Sequence, residues 1–318
     1  MTSTRLITQF RIDHPGRFRL GSIDPADTGG LDLLKEAADA MLARDIERLA
    51  KLQERLYAQH KWALLVVLQG MDTAGKDGVI KHVMRGINPL GCEVHAFKAP
   101  SSEDLDHDFL WRAETRLPAR GDIGVFNRSY YEEVVIVRVH PEMLTHQKLP
   151  AKLVGKDIWK ERFEDIHAFE RHLTRNGIVI LKFFLHISKE EQRRRLLARL
   201  DDPAKQWKFS MNDIAERKLW DEYMSAYEHA IRATGNPGAP WYVVPADHKW
   251  FARLIVARAM LEALENLDLD YPKTEEATLL KVRASLEADG RGDRRQTKER
   301  SPKRKDRRCH GTRTRAIT

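Results

Sequence analysis

A glycine-rich segment with an embedded lysine stands where a strongly apolar stretch of the chain ends. It reads Gly70-Met71-Asp72-Thr73-Ala74-Gly75-Lys76-Asp77-Gly78, the GxxxxGK pattern of a phosphate-binding loop. Glycines let the backbone wrap closely around an anion, loop N–H groups point at phosphate oxygens, and Lys76 adds a positive charge. A turn that only links a strand to a helix would explain the glycines but not a lysine at this spacing. The segment predicts phosphate binding by Gly70, Thr73, Ala74, Gly75, Lys76, Asp77 and Gly78.

The residue after Lys76 departs from the usual pattern. Asp77 stands where an ordinary loop of this kind places a Ser or Thr hydroxyl on magnesium. Another group must then hold the metal. Asp72, a carboxylate inside the loop, would repel bound phosphates unless a divalent cation lay between them, so we predict that it is a magnesium ligand. The alternative is that the Asp72 side chain only accepts hydrogen bonds from loop N–H groups, as in an Asx turn.

A second polar cluster follows a predicted strand at residues 123–126. It reads Asn127-Arg128-Ser129-Tyr130-Tyr131-Glu132-Glu133. Ligands gather at the C-terminal ends of strands in open α/β sheets, so this position favours a substrate role. Arg128 can form a bidentate ion pair with phosphate, and Glu132 and Glu133 can bind nucleotide hydroxyl or amino groups or position a metal. The alternative for Arg128 and Glu133 is a solvated charge at a helix start.

A basic segment at residues 188–212 follows another predicted strand. Ser188 and Glu191 have the spacing of a capping box, and the helix that they begin carries arginines on both faces before it breaks. Lys205 and Lys208 then flank a tryptophan. A basic hairpin of this kind is typical of a P-loop kinase lid, which closes over the transferred group and excludes water. The alternative for any single arginine is a solvated helix charge.

The elements that must position these residues alternate between helix and strand. Residues 31–59 carry apolar side chains at three- and four-residue spacing, which predicts an amphipathic helix. Residues 62–68 form an apolar run that is too short for a helix and dense enough for a strand buried on both faces. Further strands are predicted at residues 92–97, 123–126, 178–186 and 241–244. This alternation predicts an α/β fold with a mostly parallel sheet flanked by helices.

The composition is that of a folded enzyme. Of the 318 residues 42% are hydrophobic, no apolar stretch is long enough to cross a membrane, and the N-terminus is too polar for the apolar centre of a signal peptide. The cysteines, Cys92 and Cys309, are too few for a disulfide framework or a cysteine metal site. We therefore expect a soluble, cytoplasmic protein with no membrane partner.

The net charge of +8 originates at the C-terminal end. Residues 289–318 hold 12 of the 55 Lys and Arg and 4 of the 47 Asp and Glu, so the remainder holds 43 of each sign. This end has almost no apolar residues to offset the entropy of ordering, and we expect it to be disordered. Two interpretations of this end remain: a solvated tail without a binding role, and a tail with weak, salt-sensitive attraction to polyanions. The neutral body and the lack of RNA-binding motifs argue against a specific nucleic-acid partner.

Four segments together resemble the type-2 polyphosphate kinases, a family of P-loop kinases related in fold to thymidylate kinase. Within residues 18–271 they read LLVVLQGMDTAGKDG, GVFNRSYYEEVVIVRVHPE, SKEEQRRRLLARLDDPAKQWKFS and APWYVVPADHKWFAR. The resemblance implies a P-loop kinase fold with a five-stranded parallel sheet and a helical lid. It also implies reversible, Mg²⁺-dependent transfer of the terminal phosphate of inorganic polyphosphate to purine nucleotides, ADP and/or AMP, by a homodimer or homotetramer.

The resemblance assigns roles to single residues. The loop lysine and loop aspartate of the family fall on Lys76 and Asp72, and its second motif falls on Asn127 and Arg128. One branch has FDRSWYNR at this motif. This chain has FNRSYYEE, which resembles the branch that accepts both AMP and ADP, and Glu132 is the distinguishing position. The implied catalytic set is therefore Lys76, Asp72, Arg128, Asn127 and Glu132.

Two further assignments concern the metal and the lid. Because Asn127 replaces a carboxylate that could share the metal, Asp122 at the start of the strand is a candidate second magnesium ligand. The lid residues that resemble those tracking the polyphosphate chain are Arg194, Arg199, Lys205 and Lys208.

The predicted organisation has three parts. Residues 1–60 form an N-terminal arm and a helix on the core, residues 61–272 form the phosphotransferase domain, and residues 273–318 hold a helix end and the basic tail. Two rival functions remain. The first is an ATP-dependent nucleoside monophosphate kinase, which would phosphorylate AMP or ADP with ATP as donor and not with polyphosphate. The second is a nucleic-acid-binding P-loop protein, which only the basic tail favours.

Overall fold

The computed structural model describes residues 3–31 and 35–299. The strands are β1 (Arg11–Ile12), β2 (Ala63–Gln69), β3 (Cys92–Ala96), β4 (Ile123–Asn127), β5 (Ile178–His186) and β6 (Trp241–Pro245). The helices are α1 (Ser3–Thr8), α2 (Lys35–Gln59), α3 (Lys76–Val83), α4 (Trp111–Glu114), α5 (Glu132–Val139), α6 (Ile158–Arg175), α7 (Lys189–Leu200), α8 (Met211–Lys218), α9 (Trp220–Thr234), α10 (Lys249–Glu265) and α11 (Glu276–Glu299). Short 3₁₀ segments lie between several of them.

The sheet has the strand order β1-β6-β5-β2-β4-β3. The strands β2 to β6 pair with one another in parallel, which confirms the predicted α/β fold and its mostly parallel sheet. The predicted number of five strands is one short, because β1 adds an antiparallel edge in which Arg11 pairs with Tyr242 and Ile12 with Trp241. A strand of two residues is too short to produce an apolar period in the sequence.

The central strand β2 is buried along all seven of its residues. A strand made of Ala, Leu and Val up to its last residue, Gln69, must be covered on both sides, and two groups of helices do this. The helix α10 packs on α2 and α3, and α5, α6 and α9 form the second group. Within residues 3–31 and 35–299, no helix is both long enough and apolar enough to cross a membrane.

The parallel strands bring the predicted site segments to one edge of the sheet. The chain leaves β2 into the glycine-rich loop and leaves β4 at Asn127, and the basic segment follows β5. Because carboxyl ends of parallel strands share an edge, these segments meet although more than a hundred residues separate the first from the last.

The basic segment folds as two helices around a break. Ser188 caps α7, and its Oγ accepts a hydrogen bond from the Glu191 N–H at 3.0 Å. The capping box is only half formed, because the Glu191 carboxylate pairs with Arg194 and Arg195 instead of returning to Ser188. A short 3₁₀ turn, Gln206–Lys208, then precedes α8.

The residues from Pro272 onward form a separate unit that contains α11. Disorder was predicted from residue 289, but α11 runs to Glu299, so this prediction is wrong for residues 289–299. The rest of the predicted tail, residues 300–318, lies outside the described residues. Lys, Arg, Glu and Ala lose little rotamer freedom in a helix, so a polar sequence can be helical without burying a face. An ion pair at 3.1 Å between Arg283 and Glu287 adds i,i+4 support.

Truncation after Glu287 is expected to leave turnover within about twofold of the full chain, because the removed residues carry almost no apolar side chains that could dock on the enzyme. The comparison is kcat/KM of the truncated and full-length proteins at equal concentration, with melting temperature as the control for folding. Loss of most turnover at an unchanged melting temperature would contradict the prediction.

Candidate active site

The phosphate-binding loop connects β2 to α3. Gly70 has φ +149°, and a Cβ there would lie 2.9 Å from the carbonyl oxygen of Leu185, so this close approach needs glycine. Gly75 has φ +113° and caps α3. Thr73 has φ +63°, which is unusual for a β-branched residue, and its buried Oγ1 has no hydrogen-bond partner among the described residues. Strain of this kind is typical of a ligand-binding loop.

Lys76 begins α3 and turns its ammonium group into the loop. The residue is only 8% exposed, and Nζ donates to the carbonyl oxygens of Gly70 at 2.6 Å and Met71 at 3.2 Å. Burial lowers the pKa of Lys76, and the Asp72 carboxylate opposes that shift. The geometry places a cation at the centre of the loop, where its carbonyl partners can be exchanged for phosphate oxygens.

Arg128 joins the two predicted motifs. Its Nη2 lies 3.0 Å from Asp72 Oδ1 in the loop, and its Nη1 lies 3.4 Å from Glu132 Oε2 on α5. Its φ of +64° is a strained value for arginine. Burial lowers the pKa of Arg128, but Glu132 and Asp72 raise it, and the net pKa lies above its ordinary value. The structure thus holds a charged guanidinium, still partly exposed, between two carboxylates.

Asn127 connects the end of β4 to the start of α3. Its Nδ2 donates to Asp77 Oδ1 at 2.9 Å, and the Lys208 ammonium lies 3.7 Å from Asp77 Oδ2. Asp77, which takes the place of the usual hydroxyl, therefore links β4 and the basic segment at the loop. This contact gives Asp77 a positioning role beside the predicted phosphate contacts.

Glu132 and Glu133 begin α5 but have different surroundings. Glu132 is buried, and burial raises its pKa while the Arg128 charge lowers it. The Glu133 carboxylate is also buried and is paired with Arg112 at 3.3 Å and Arg162 at 3.5 Å. Glu133 is thus not the solvated charge of the sequence-based alternative. It ties α5 to α4 and α6.

The two tyrosines of the second motif rest on a buried ion pair. Lys182 Nζ lies 2.6 Å from Glu170 Oε2, and both side chains are fully buried. The hydroxyl groups of Tyr130 and Tyr131 donate to Glu170 Oε1 at 2.9 and 2.8 Å. Lys182 also donates to the carbonyl oxygen of Thr234 at 2.9 Å. The pair therefore fixes the turn that carries the catalytic candidates on either side of the tyrosines.

Two cavities open at the loop and share a wall. The larger has a volume of about 950 Å³ and the smaller about 450 Å³. Both are lined by Asp72, Arg128, Lys98 and Ala99. Cationic side chains line the larger cavity, namely Lys76, Arg194, Arg195, Arg199, Lys205, Lys208, Lys249 and Arg253. Acidic, aromatic and apolar side chains dominate the smaller one, among them Glu132, Met143, Glu216, Tyr223 and Tyr227.

The four predicted lid residues all line the larger cavity, and each has a carboxylate partner. The pairs are Arg194 with Glu191 at 2.6 Å, Arg199 with Asp213 at 3.1 Å, Lys208 with Asp77 at 3.7 Å, and Lys205 with Asp202. Arg194 is the most exposed of them, with 64% of its side chain accessible. Arg199 and Asp213 are mostly buried. The cations of the other three pairs are more exposed, and exposed pairs contribute little to stability, so those cations can exchange a carboxylate for an incoming polyanion at small cost.

Arg195 is a site residue that sequence reasoning missed. Its Nη1 donates to the carbonyl oxygens of Thr73 and Ala74 at 3.0 Å, and its Nη2 donates to those of Ala246 at 2.6 Å and Asp247 at 3.0 Å. It thereby ties α7 to the phosphate-binding loop and to the turn after β6. Arg195 follows Gln192 by three residues, so the two lie on the same face of α7, and this face is buried. That spacing was the signal available in the sequence.

Other missed residues follow the carboxyl ends of predicted strands. Lys98 comes two residues after β3, and Lys249 and Arg253 lie on α10, which follows β6. Their positions at the ligand edge of a parallel sheet were the available signal. Asp213 on α8 is a further missed carboxylate. Burial and the nearby Asp72 charge raise its pKa.

Asp122 lies at the opposite edge of the sheet. It precedes β4, and its carbonyl oxygen accepts from the Leu64 N–H at the start of β2 at 3.1 Å. Burial and Glu93 raise its pKa, and His60 lowers it, so its charged neighbours are not those of the site. A strand of seven residues spans roughly 20 Å, which separates this edge from the loop. The prediction that Asp122 is a second magnesium ligand is therefore wrong for this site.

Comparisons with known proteins agree with this geometry. The family model described as Polyphosphate kinase 2 matches residues 32–272, which contain both cavities. An "ADP-polyphosphate phosphotransferase" of Rhodopseudomonas palustris is 50% identical over 282 residues, which are 87% of this chain and 97% of the relative. An "AMP/ADP-polyphosphate phosphotransferase" of Meiothermus ruber is 46% identical over 270 residues, which are 85% of this chain and 97% of the relative.

A solved structure is similar as well. Polyphosphate kinase 2 from Arthrobacter aurescens TC1 superposes with a TM-score of 0.80 at 43% sequence identity. The match covers 87% of this chain and 95% of that one.

Proposed function

This chain belongs to the polyphosphate kinase 2 family, and from that premise we propose that it transfers the terminal phosphoryl group of inorganic polyphosphate to ADP and AMP, reversibly. The names of the two relatives support this choice of donor and acceptors. Cytoplasmic location and assembly as a homodimer or homotetramer stay predictions from the sequence.

The observation that carries the proposal is the pair of cavities that meet at Asp72 and Arg128. The larger cavity is lined by cations from several separate segments of the chain, which suits an extended polyanion. The smaller one offers the rings of Tyr223 and Tyr227 and the polar groups of Glu132, which suit a nucleoside. A phosphoryl group at the shared wall would lie between a chain in one cavity and an acceptor in the other.

Transfer at this wall requires positioning and charge neutralisation rather than a covalent enzyme intermediate. Lys76 and Arg128 are the cations nearest the reacting phosphates, and both are held by named partners before substrate arrives. The Arg195 hydrogen bonds link the lid helix to the loop carbonyls of Thr73 and Ala74. In our proposal, closure of the lid around the polyphosphate chain is therefore transmitted to the loop that holds the donor phosphate.

The proposal includes Mg²⁺, and the donor set at the loop fits it. Asp72 offers a carboxylate, and the unpartnered Thr73 Oγ1 offers a neutral oxygen, both of the hard type that Mg²⁺ prefers. Among the described residues no group of three or more His, Cys, Asp or Glu could hold a metal ion. Phosphate oxygens and water would complete the shell, as is usual for Mg²⁺ on nucleotides. When bound, the ion supplies positive charge between neighbouring phosphates.

The test is an assay of the purified protein with magnesium, polyphosphate and each of AMP, ADP, GMP and GDP, with products separated by chromatography. We expect ADP and ATP from AMP, and ATP from ADP, when polyphosphate is the only donor. Phosphorylation of AMP by ATP but not by polyphosphate would replace the proposal with an ATP-dependent nucleoside monophosphate kinase.

Glu132→Asn is expected to impair AMP phosphorylation more than ADP phosphorylation. AMP has one phosphate fewer, so it must sit deeper in the smaller cavity to react at the same centre, and its ribose and base then need other polar partners. Glu132 lines that cavity. Loss of a charged hydrogen bond made with only one acceptor costs roughly 1.5 to 3 kcal/mol, or about 10- to 150-fold in kcat/KM.

The measurement is kcat/KM for AMP and for ADP at saturating polyphosphate. Glu132→Gln is the matched variant, since it keeps the length of the side chain and removes its charge. Equal losses for both acceptors would show that Glu132 serves the shared chemistry, for example by holding Arg128 at 3.4 Å, and not acceptor choice.

A further inference from the structure

A third recess lies outside the two cavities of the site and shares no lining residue with them. It has a volume of about 670 Å³ and lies between the end of α5, the first half of α6 and the end of α9. We call it the lateral groove. Six of its lining side chains are cations or histidines, namely Arg138, Lys156, Lys160, His167, His229 and Arg232.

Five of the six basic side chains that line the lateral groove come from three helices, and Lys156 lies just before α6. Lys160 and His167 are two turns apart on α6, and His229 and Arg232 are one turn apart on α9. Arg138 is in the last turn of α5. Helical spacing thus gathers charges that are far apart in sequence.

The positive charge of the lateral groove is only partly neutralised. Lys160 lies 3.7 Å from Glu164, and Arg232 lies 3.9 Å from Glu228, both at the outer limit of an ion pair. Arg138 and Lys156 have no hydrogen-bond or ion-pair partner within residues 3–31 and 35–299. Apart from Glu164, the carboxylate that lines the groove is Asp157. An anionic ligand would supply the missing partners.

Arg138 is the most constrained of these cations. It is half-buried, and burial lowers its pKa with no carboxylate to oppose the shift. The rings of Trp159 and Phe163 also line the groove, and apolar surroundings strengthen the attraction of a cation for an anion. Keeping a desolvated, unpaired guanidinium costs stability, which an anion bound in the groove would recover.

We propose that the lateral groove binds a remote segment of the polyphosphate chain whose end reacts in the active site. This inference rests on the proposed function. The cationic side chains of the groove are spread over three helices and the residues before α6, as suits an extended polyanion.

The lateral groove shares α5 with the active site. Arg138 follows Glu132, which lines the smaller cavity, by six residues on this helix, or about 9 Å along its axis. The donor end of the chain lies in the larger cavity in our proposal, so only a chain long enough to extend well beyond that cavity can occupy the groove as well. A second attachment point raises the effective concentration of the chain end at the site without changing the chemistry.

The test compares the triple variant Arg138→Gln, Lys156→Gln, Lys160→Gln with wild type. We expect KM for long-chain polyphosphate to rise at least about tenfold, with kcat and the KM for ADP unchanged. The KM for the shortest polyphosphate that serves as donor should not change. A matched control removes three exposed cations elsewhere, through Arg44→Gln, Lys51→Gln and Lys61→Gln, and should leave both KM values unchanged.

Equal KM for long chains in the triple variant and wild type would overturn the proposal, and so would an equal rise for short and long chains. The same rise in the control variant would show an effect of net charge and would also overturn it. Binding of long-chain polyphosphate to the Lys76→Ala protein, measured by equilibrium dialysis, gives a readout without turnover and should weaken when the groove is altered. Tighter binding of single-stranded RNA than of polyphosphate would assign the groove to nucleic acid instead. A wild-type enzyme that uses no polyphosphate would refute the proposed function itself, which is a different outcome.

Discussion

Lys76→Ala is expected to abolish phosphoryl transfer from polyphosphate to both AMP and ADP. The ammonium group is the cation at the centre of the phosphate-binding loop, 2.6 Å from the Gly70 carbonyl oxygen. Its charge is worth most in the transition state, where negative charge spreads over the transferred group in a site shielded from water. Removing one such group costs several kcal/mol, so kcat should fall by at least about 10²- to 10³-fold.

The measurement is kcat and kcat/KM for ADP at saturating polyphosphate and magnesium. Lys81→Ala is the matched control, because Lys81 lies on the same helix and its side chain is exposed. Lys76 also satisfies two loop carbonyl groups, so the melting temperatures of both variants must be compared with wild type. A Lys76→Ala protein within tenfold of wild-type activity would contradict the role assigned to this residue.

The part of the site that could be predicted is the part encoded by adjacent residues. The glycines of the loop are required by local backbone geometry, as the φ of +149° at Gly70 shows, and local requirements leave a continuous pattern in the sequence. Arg128 was found in the same way, since it directly follows a strand that the apolar pattern identified. What the sequence could not reveal was its partners, because Asp72 and Glu132 come from different elements.

The wrong assignment of Asp122 has a different origin. The sequence already placed this residue at the beginning of a strand and predicted a parallel sheet, in which strand beginnings and strand ends lie at opposite edges. Applying both statements together would have excluded Asp122 from the loop. Arg195 was missed because the sequence lacked the information that identifies it. It stands in a run of three arginines, and only the packing of α7 on the loop distinguishes it from its neighbours.

In the C-terminal unit, amino-acid composition alone does not distinguish a disordered tail from a helix. A segment rich in Lys, Arg and Glu with few apolar residues is typical both of disordered tails and of exposed helices. Residues 289–299 are helical, as part of α11. Whether such a segment is helical or disordered depends on small differences in helix propensity, and counting its charges does not reveal these differences.

Lys182 left a clear signal in the sequence, although it lies outside the motifs. It is the one Lys, Arg, Asp or Glu within the strand IVILKFFLH, whose last seven residues are all buried. A buried lysine needs a partner, since burial without one lowers its pKa and costs several kcal/mol. Burial does lower the pKa of Lys182, and the Glu170 charge opposes that shift.

Lys182→Met is expected to lower the free energy of unfolding by about 3 to 5 kcal/mol, because it leaves the Glu170 carboxylate buried without its cation. The double variant Lys182→Met, Glu170→Gln should be more stable than the single one. The amide oxygen of the introduced glutamine can still accept from the two tyrosine hydroxyl groups that now donate at 2.9 and 2.8 Å, and no unpaired charge remains. Urea denaturation of the three proteins gives both differences.

The Lys182–Glu170 pair also affects the reaction, because it supports the turn that carries the charged groups of the second motif. Tyr130 and Tyr131 stand between Arg128 and Glu132, so a displaced Glu170 carboxylate alters the position of both charged groups. Below its melting temperature, the single variant should therefore lose kcat for AMP and for ADP alike, and the double variant should recover part of that loss. Destabilisation by less than about 1 kcal/mol, or a double variant less stable than the single one, would show that the ion pair is not what holds the motif in place.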